Sequence, residues 1–431
     1  MLNITSFLLL YAAINKYCCE NCMSFTSLAL DPSLLKAIEE SGYNEPTAIQ
    51  LAAIPVVLEG HDVMAGAQTG TGKTAAFTLP ILHQLLKEPL TNTVKAIILT
   101  PTRELAQQVF KSLTTYAKHT SVKSALVYGG VSIKPQIEAL NAGANIIVAT
   151  PGRLLDHLIN NSLSLSELQY LVFDEADRML DMGFKDEINN ILKRVPSKRQ
   201  TLLFSATFDD SIFTLSKTLL NDPKLIEVGE RNAAASEVEQ IVYTVDEDRK
   251  RELTSFLIGS KNWRQVLIFT RTKIGADALA KEMCKDGIKT QSIHGDKSQG
   301  ARDKALAEFK EGKTRALVAT DVAARGIDII DLQYVINYEL PYIAEDYIHR
   351  IGRTGRAGKA GLALSLMSPD EEWLLKAVEE VLDTRLLQQW LPGYEPDLTK
   401  KPSTSRNSTK KTSKKHERNK ALGHKPNHRK R

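Results

Sequence analysis

Cysteine is scarce. Four occur in 431 residues, and Cys18, Cys19 and Cys22 crowd near the start, leaving only Cys284 in the rest of the chain. That usage excludes a disulfide scaffold and suits a reducing compartment, so a cytoplasmic location is expected. Cys19 and Cys22 form a CxxC, but no second pair and no nearby histidine accompany it, which argues against a zinc site. Long apolar runs are missing too: the run at 7–13 is far too short to span a bilayer, so no membrane partner is expected. That run has no basic segment before it and no clear cleavage site after it, so it does not read as a signal peptide. Met23 opens Met-Ser-Phe-Thr-Ser-Leu like a natural start, and residues 1–22 are expected to be an extension outside the native protein. Basic charge is short everywhere except at the end. Thirteen of the 56 Lys and Arg lie in 398–431 with Glu417 as the one acid, so the first 397 residues carry −7 although the whole chain carries +5.

What remains is ordinary for a soluble globular protein, 42% hydrophobic and 25% charged, with length for two domains of roughly 200 residues. The informative stretch is AQTGTGKT at 67–74, answered a hundred residues on by an apolar run that ends in Asp174-Glu175-Ala176-Asp177. Glycines before a GKT leave backbone N–H groups free to wrap phosphates, with Lys73 on the β/γ-phosphates and Thr74 on Mg²⁺. Residue 67 is Ala where the general P-loop pattern has Gly. A buried parallel strand that delivers carboxylates opposite such a loop implies nucleotide hydrolysis.

Apolar runs alternate with helical patterns along the chain, the signature of an α/β fold with parallel sheets. Strands are expected at 63–65, 96–100, 124–128, 146–150, 171–174 and 201–205, then at 266–270, 290–293, 316–320, 335–338 and 362–366. The polar, alanine-rich 230–239 divides the two series and reads as a linker. Ligands in such sheets sit beyond the strand carboxyl ends, where the motifs fall. Thr100-Pro101-Thr102-Arg103 and Thr150-Pro151-Gly152-Arg153 each follow a strand and open a helix, with Thr as cap and Pro as first helical residue. Either alone is ordinary capping. Two of them, with Gly129-Gly130, outline a track for a nucleic-acid backbone.

The set resembles the DEAD-box ATP-dependent RNA helicases of superfamily 2. The likeness runs from about residue 25 to 397 through Phe25, GYNEPTAIQ at 42–50, AQTGTGKT, PTRELAQQ at 101–108, TPGR at 150–153 and DEAD at 174–177. SAT at 205–207, IFTRTK at 268–273, HGDKSQGAR at 294–302, ATDVAARGID at 319–328 and HRIGRTGR at 349–356 follow in the family's order. Ala67 is that family's usual residue, and VYGGVSIKPQ looks most like its bacterial RhlE group. The resemblance implies two tandem RecA-like parallel-sheet domains. The expected boundaries are a Q-motif region at 23–51, an ATP-binding domain at 52–229, the linker at 230–239 and a carboxyl-terminal domain at 240–397. A disordered basic tail at 398–431 would tether RNA.

For ATP, the resemblance implies Gln50 on the adenine edge and Tyr43 on its face, with Phe25 packed nearby. Gly70, Thr71, Gly72, Lys73 and Thr74 would hold the phosphates, and Asp328 the ribose. Thr74 and Asp174 would hold Mg²⁺, and Glu175 would activate water. The two adjacent carboxylates would diverge by strand alternation. Arg353 and Arg356 would be arginine fingers from the second domain, while Arg350 serves structure or interdomain contacts. Asp177, Ser205, Thr207 and His349 would couple the nucleotide to RNA. The RNA itself would run over Arg103, Gly130, Thr150, Gly152 and Arg153, then Arg271, Gly295 and Thr320. The expected activity is RNA-stimulated ATP hydrolysis that unwinds or remodels short duplexes, plausibly in ribosome biogenesis or RNA turnover. An ATP-gated RNA clamp is the alternative, and a DNA helicase is disfavoured.

Overall fold

The computed structural model describes residues 24–66, 71–89, 91–208, 210–228, 238–324, 332–355, 361–397 and 399. The expected extension at 1–22, the interior of the linker and the tail from 400 lie outside them. So do three expected site residues, Gly70, Asp328 and Arg356.

Seven strands, β1 (Val63–Gly66), β2 (Ala96–Leu99), β3 (Ser124–Val127), β4 (Ile146–Ala149), β5 (Tyr170–Phe173), β6 (Gln200–Ser205) and β7 (Lys224–Glu227), form one parallel sheet in the order β3-β4-β2-β5-β6-β1-β7. Seven more, β8 (Val238–Thr244), β9 (Val266–Thr270), β10 (Thr290–Ile293), β11 (Ala316–Thr320), β12 (Tyr334–Asn337), β13 (Gly361–Met367) and β14 (Leu387–Gln389), form a second in the order β10-β11-β9-β12-β13-β8-β14. Element by element the two orders are the same.

The central strands are continuous apolar runs because helices cover both faces. Ile98, Val148 and Val172 join one core cluster while Ile97, Leu99, Ile147, Leu171 and Phe173 join the one across the sheet, all fully buried. In the second lobe Val266, Ile268 and Val318 face one side and Leu267, Phe269 and Leu317 the other. Each such side chain removed from water contributes on the order of 1.5–3 kcal/mol.

The expected strands held, with displaced ends. β2, β3, β4 and β5 each stop one residue earlier than expected, so Thr100, Tyr128, Thr150 and Asp174 head the loops at the carboxyl edge. β8 begins at Val238, which corrects the linker's end: its last two residues are strand. β7, β8 and β14 were not expected. β7 and β14 are edge strands with mostly exposed side chains, and β8 is broken by Glu239 and Gln240, so none carries a long apolar run.

Candidate active site and nucleic-acid track

The nucleotide site is built from the carboxyl ends of β1 and β5. Gly72 caps the helix Lys73–Leu85 with φ 93°, a left-handed conformation that glycine adopts without strain. A Cβ there would lie 2.4 Å from Gln50 Nε2 and 2.9 Å from Thr47 Oγ1. Gln50 is itself buried at the start of the helix Ala48–Leu58. Its Oε1 accepts from Thr47 N at 2.9 Å as half of a capping box, and its Nε2 donates to the Gly72 carbonyl at 3.1 Å. One amide hydrogen and one lone pair stay available, which is what a bidentate contact to adenine needs. Tyr43 is half exposed, tilted against Tyr116 at 6.4 Å between ring centroids, and Phe25 is buried in the first lobe's core.

Lys73 sits at the first helical position with a buried Nζ that has no hydrogen-bond partner. Asp174 is buried as well, its Oδ1 equally unpartnered. Burial pushes the Asp174 carboxyl up to about 7, against the pull of Lys73 and with the push of Glu175 and Asp177. A buried ammonium and a buried carboxylate oxygen left without partners are what a phosphate and a hydrated divalent cation would satisfy. Among the described residues no group of three or more acidic, His or Cys side chains could cage a metal. One carboxylate with the Thr74 hydroxyl suits Mg²⁺, which keeps several of its waters.

The divergence of Asp174 and Glu175 has a different origin from the one expected. β5 ends at Phe173, and Glu175 adopts φ 55°, ψ 57° as the residue before the helix Ala176–Asp181. A left-handed turn, rather than strand alternation, sends the two carboxylates apart, at a cost of roughly 1–3 kcal/mol for a side chain with a Cβ. Asp177 then spans to the loop after β6. Its Oδ2 accepts from Ala206 N and Thr207 N at 3.1 Å each and from Thr207 Oγ1 at 3.2 Å, while Ser205 Oγ donates to the Thr207 carbonyl at 2.7 Å.

The second lobe reaches this site through the helix Glu345–Ile351. Burial lowers the basicity of His349, opposed by the nearby carboxylates of Asp177 and Glu175 and reinforced by Arg353 and Arg178. His349 therefore lies within the electrostatic reach of the first lobe's acids, with the buried Arg353 near it. Arg350 is different: its guanidinium makes a fork on Asp321 at 2.6 and 2.8 Å, donates to the Glu339 carbonyl at 2.6 Å and lies over the Phe269 ring. It is a structural post of the second lobe.

Of the two expected phosphate-facing helix starts, one is as read and one is shifted. Thr150 precedes Pro151 at the start of Pro151–Ile159. The other helix is Arg103–Tyr116, and its cap is Thr102, which accepts from Leu105 N at 3.3 Å, so Thr100 and Pro101 stay outside it. Pro cannot be followed by a good cap and also be first in the helix. Arg103 lies against Gly130, where a Cβ would come within 2.1 Å of its Nη1, so the close approach that Gly130 permits is made by a guanidinium. Gly129 and Gly152 are open. Arg153 donates to the Val131 carbonyl at 3.0 Å and pairs with Asp156 at 3.3 Å, with Nη1 buried and unpartnered.

In the second lobe Thr320 ends β11 and is buried, and Gly295 follows His294 just beyond β10, near the end of Lys273. Arg271 is not delivered to the surface. Its side chain is buried between Glu371 and Glu339, with the guanidinium over the Tyr342 ring.

A clasp that no sequence motif marks joins the lobes. Arg302 pairs with Glu104 at 2.7 Å, and Gln299 bridges to Glu104 at 3.3 Å and Arg103 at 3.5 Å. Glu104 in a first helical turn reads as a partner of the helix dipole, so nothing local marked it as half of a long-range pair.

Family models match most of this architecture: DEAD/DEAH box helicase over 47–215, and helicase conserved C-terminal domain over 248–358. The ATP-dependent RNA helicase CshA of Listeria monocytogenes is 44% identical over 373 residues, covering 86% of this chain and 71% of its own. The DEAD-box ATP-dependent RNA helicase RhpA of Helicobacter pylori is 41% identical, covering 84% and 73%. Dbp5 of S. cerevisiae, solved bound to RNA and ADP BeF3, superposes with a TM-score of 0.77 at 32% identity over 85% of this chain and 95% of that one. None of these names bears on the narrower RhlE likeness.

Proposed function

Because this chain belongs to the DEAD-box ATP-dependent RNA helicases, we propose that it hydrolyses ATP with Mg²⁺ between its two lobes and uses closure to unwind or remodel short RNA duplexes in the cytoplasm. The observation that carries the reading is the pair of unpartnered buried groups, Lys73 Nζ and Asp174 Oδ1, facing a second lobe that presents His349 and Arg353. Gln50 with Tyr43 would select adenine, and Gly72, Lys73 and Thr74 would take the phosphates. Mg²⁺, held through Thr74 and Asp174, would neutralise charge across the β- and γ-phosphate oxygens. Glu175 orients the attacking water and accepts its proton, and Arg353 with Arg356 stabilises charge as the γ-phosphoryl transfers. Because the arginines come from the other lobe, turnover waits on closure. RNA would lie over Arg103, Gly130, Thr150, Gly152 and Arg153 and continue past Gly295 and Thr320. Backbone and 2′-OH contacts would select RNA over DNA with little regard for sequence. Ribosome biogenesis or RNA turnover is the process such an activity would serve.

Steady-state ATPase with single-stranded RNA, matched DNA and a Glu175→Gln control tests this. RNA should stimulate turnover, DNA should not, and the control should lose roughly 10²–10⁴-fold in kcat, the usual span for general base catalysis. Stimulation by DNA equal to that by RNA would overturn the reading. The clasp of Arg302 on Glu104 also favours a long-lived closed state, so a clamp that unwinds little is the second reading. Strand displacement compared with the lifetime of the ATP-locked complex separates the two.

A further inference from the structure

His157 is fully buried in the helix Pro151–Ile159 and makes no hydrogen bond to any group assigned above to nucleotide or RNA. Its ring nevertheless sits at the centre of a directional hydrogen-bond chain. Gln136 Nε2 donates to the Tyr128 carbonyl at 3.0 Å, which fixes that amide with its oxygen toward the imidazole. Gln136 Oε1 is 3.3 Å from His157 Nε2, and since this oxygen only accepts, Nε2 must carry the proton. In the neutral ring Nδ1 is then an acceptor, and the single Ser162 hydroxyl hydrogen is within reach of both Nδ1 at 2.8 Å and the His157 carbonyl at 3.1 Å. Burial and the neighbouring Arg153 both favour that neutral ring, against Asp156.

The chain runs through Gln136 of the helix Lys134–Asn141 to the bend that carries Gly129 and Gly130, and the other contacts to that bend come from the helices Pro151–Ile159 and Arg103–Tyr116. Arg153 donates to the Val131 carbonyl at 3.0 Å, and Gln107 of the helix Arg103–Tyr116 donates to the Tyr128 hydroxyl at 3.2 Å. The helix whose start carries Thr150, Gly152 and Arg153 therefore holds the bend directly at Val131 through Arg153, and at Tyr128 through His157 and Gln136.

We propose that His157 and Gln136 are positioning residues for RNA: they fix the Gly-Gly bend against the start of the helix Pro151–Ile159, so that backbone groups on the two segments meet successive phosphates at a set spacing. The inference rests on the RNA track of the proposed function. A net hydrogen bond is worth about two- to twelve-fold in an equilibrium constant, and the loss should appear in RNA binding, not in chemistry.

The test is RNA-stimulated ATPase across RNA concentrations for the full chain, His157→Phe, His157→Gln and Gln136→Met. Phe keeps a ring but removes the Nε2 donor, whereas a Gln side chain can offer an amide N–H in its place. We expect His157→Phe and Gln136→Met to raise the RNA concentration for half-maximal stimulation about two- to twelve-fold. The kcat at saturating RNA and the KM for ATP should be unchanged, and His157→Gln should recover most of the loss. Half-saturation unchanged in Gln136→Met overturns the proposal, as does a fall in kcat and thermal midpoint that His157→Gln does not rescue. If His157→Phe does not fold, Gln136→Met still interrupts the chain from its other end. Lack of RNA stimulation in the unaltered chain would instead refute the track itself.

Discussion

A carboxylate that must hold a cation and one that must activate water stand next to each other in this chain, and burial separates their tasks. Asp174 is pushed up to about 7 by burial, so without nucleotide and metal it is largely protonated below that pH. A folded-state value above the unfolded one means that its contribution to stability is full below about 4, and is lost as pH rises through about 7. Cation binding needs the ionised form and so must expel a proton in the same window. Calorimetry of Mg²⁺–nucleotide binding in buffers of different ionisation enthalpy should detect proton release at pH 6 and much less at pH 8. Asp174→Asn should abolish the difference, and equal release at both pH values would contradict it. Glu175 is tuned by backbone geometry, since its left-handed conformation turns its side chain out of line with Asp174. Both residues were legible as a motif. The left-handed turn was not, because nothing in Asp-Glu-Ala-Asp distinguishes a residue with positive φ.

At the scale of elements, the Gly-Gly bend and the helix Arg103–Tyr116 depend on one another. Gly130 has φ 78° and its α-carbon face is covered by the Arg103 guanidinium. Gly130→Ala would both strain the backbone and displace that arginine, whereas Gly129→Ala meets open space. RNA titrations should show several-fold weaker binding for Gly130→Ala and little change for Gly129→Ala. Equal effects would mean that the bend matters for flexibility alone. The central strands were readable because residues such as Ile97, Ile98 and Leu99 are apolar without a break. Their ends were displaced because Thr100 and Asp174 are still bonded to the neighbouring strand by their N–H groups, at 2.9 Å each, although the chain has left the sheet. Edge strands β7 and β14 escaped notice because half-solvated strands need no apolar run. Arg271 escaped because its partners Glu339 and Glu371 are distant in sequence.

At the scale of the molecule, closure is visible in the clasp of Arg302 on Glu104, both nearly fully buried. Removing one partner strands the other charge, a cost of about 3–5 kcal/mol for a buried pair. Arg302→Ala and Glu104→Ala should each lower RNA-stimulated kcat strongly, while the double variant should lose much less than the sum. Simple additivity in that cycle would remove the clasp from the closing step. The clasp lay beyond the sequence because it joins the first turns of two helices in different lobes, Arg103–Tyr116 after β2 and Gln299–Lys310 after β10, and no periodicity or motif spacing reports on that.

The two sheets share one strand order, yet only β1 runs into a glycine-rich turn. The corresponding β8 is followed by Val245, Asp246 and Glu247. In the terms of assembly, two lobes of one strand order stand as a pair of like units carried on a single chain, and only one of them supplies the phosphate-binding turn. Carriage on one chain turns their meeting into an intramolecular event. The junction therefore has no need of the high affinity that free subunits would require. Lobes on one chain can part and, because they share that chain, find the same partner again.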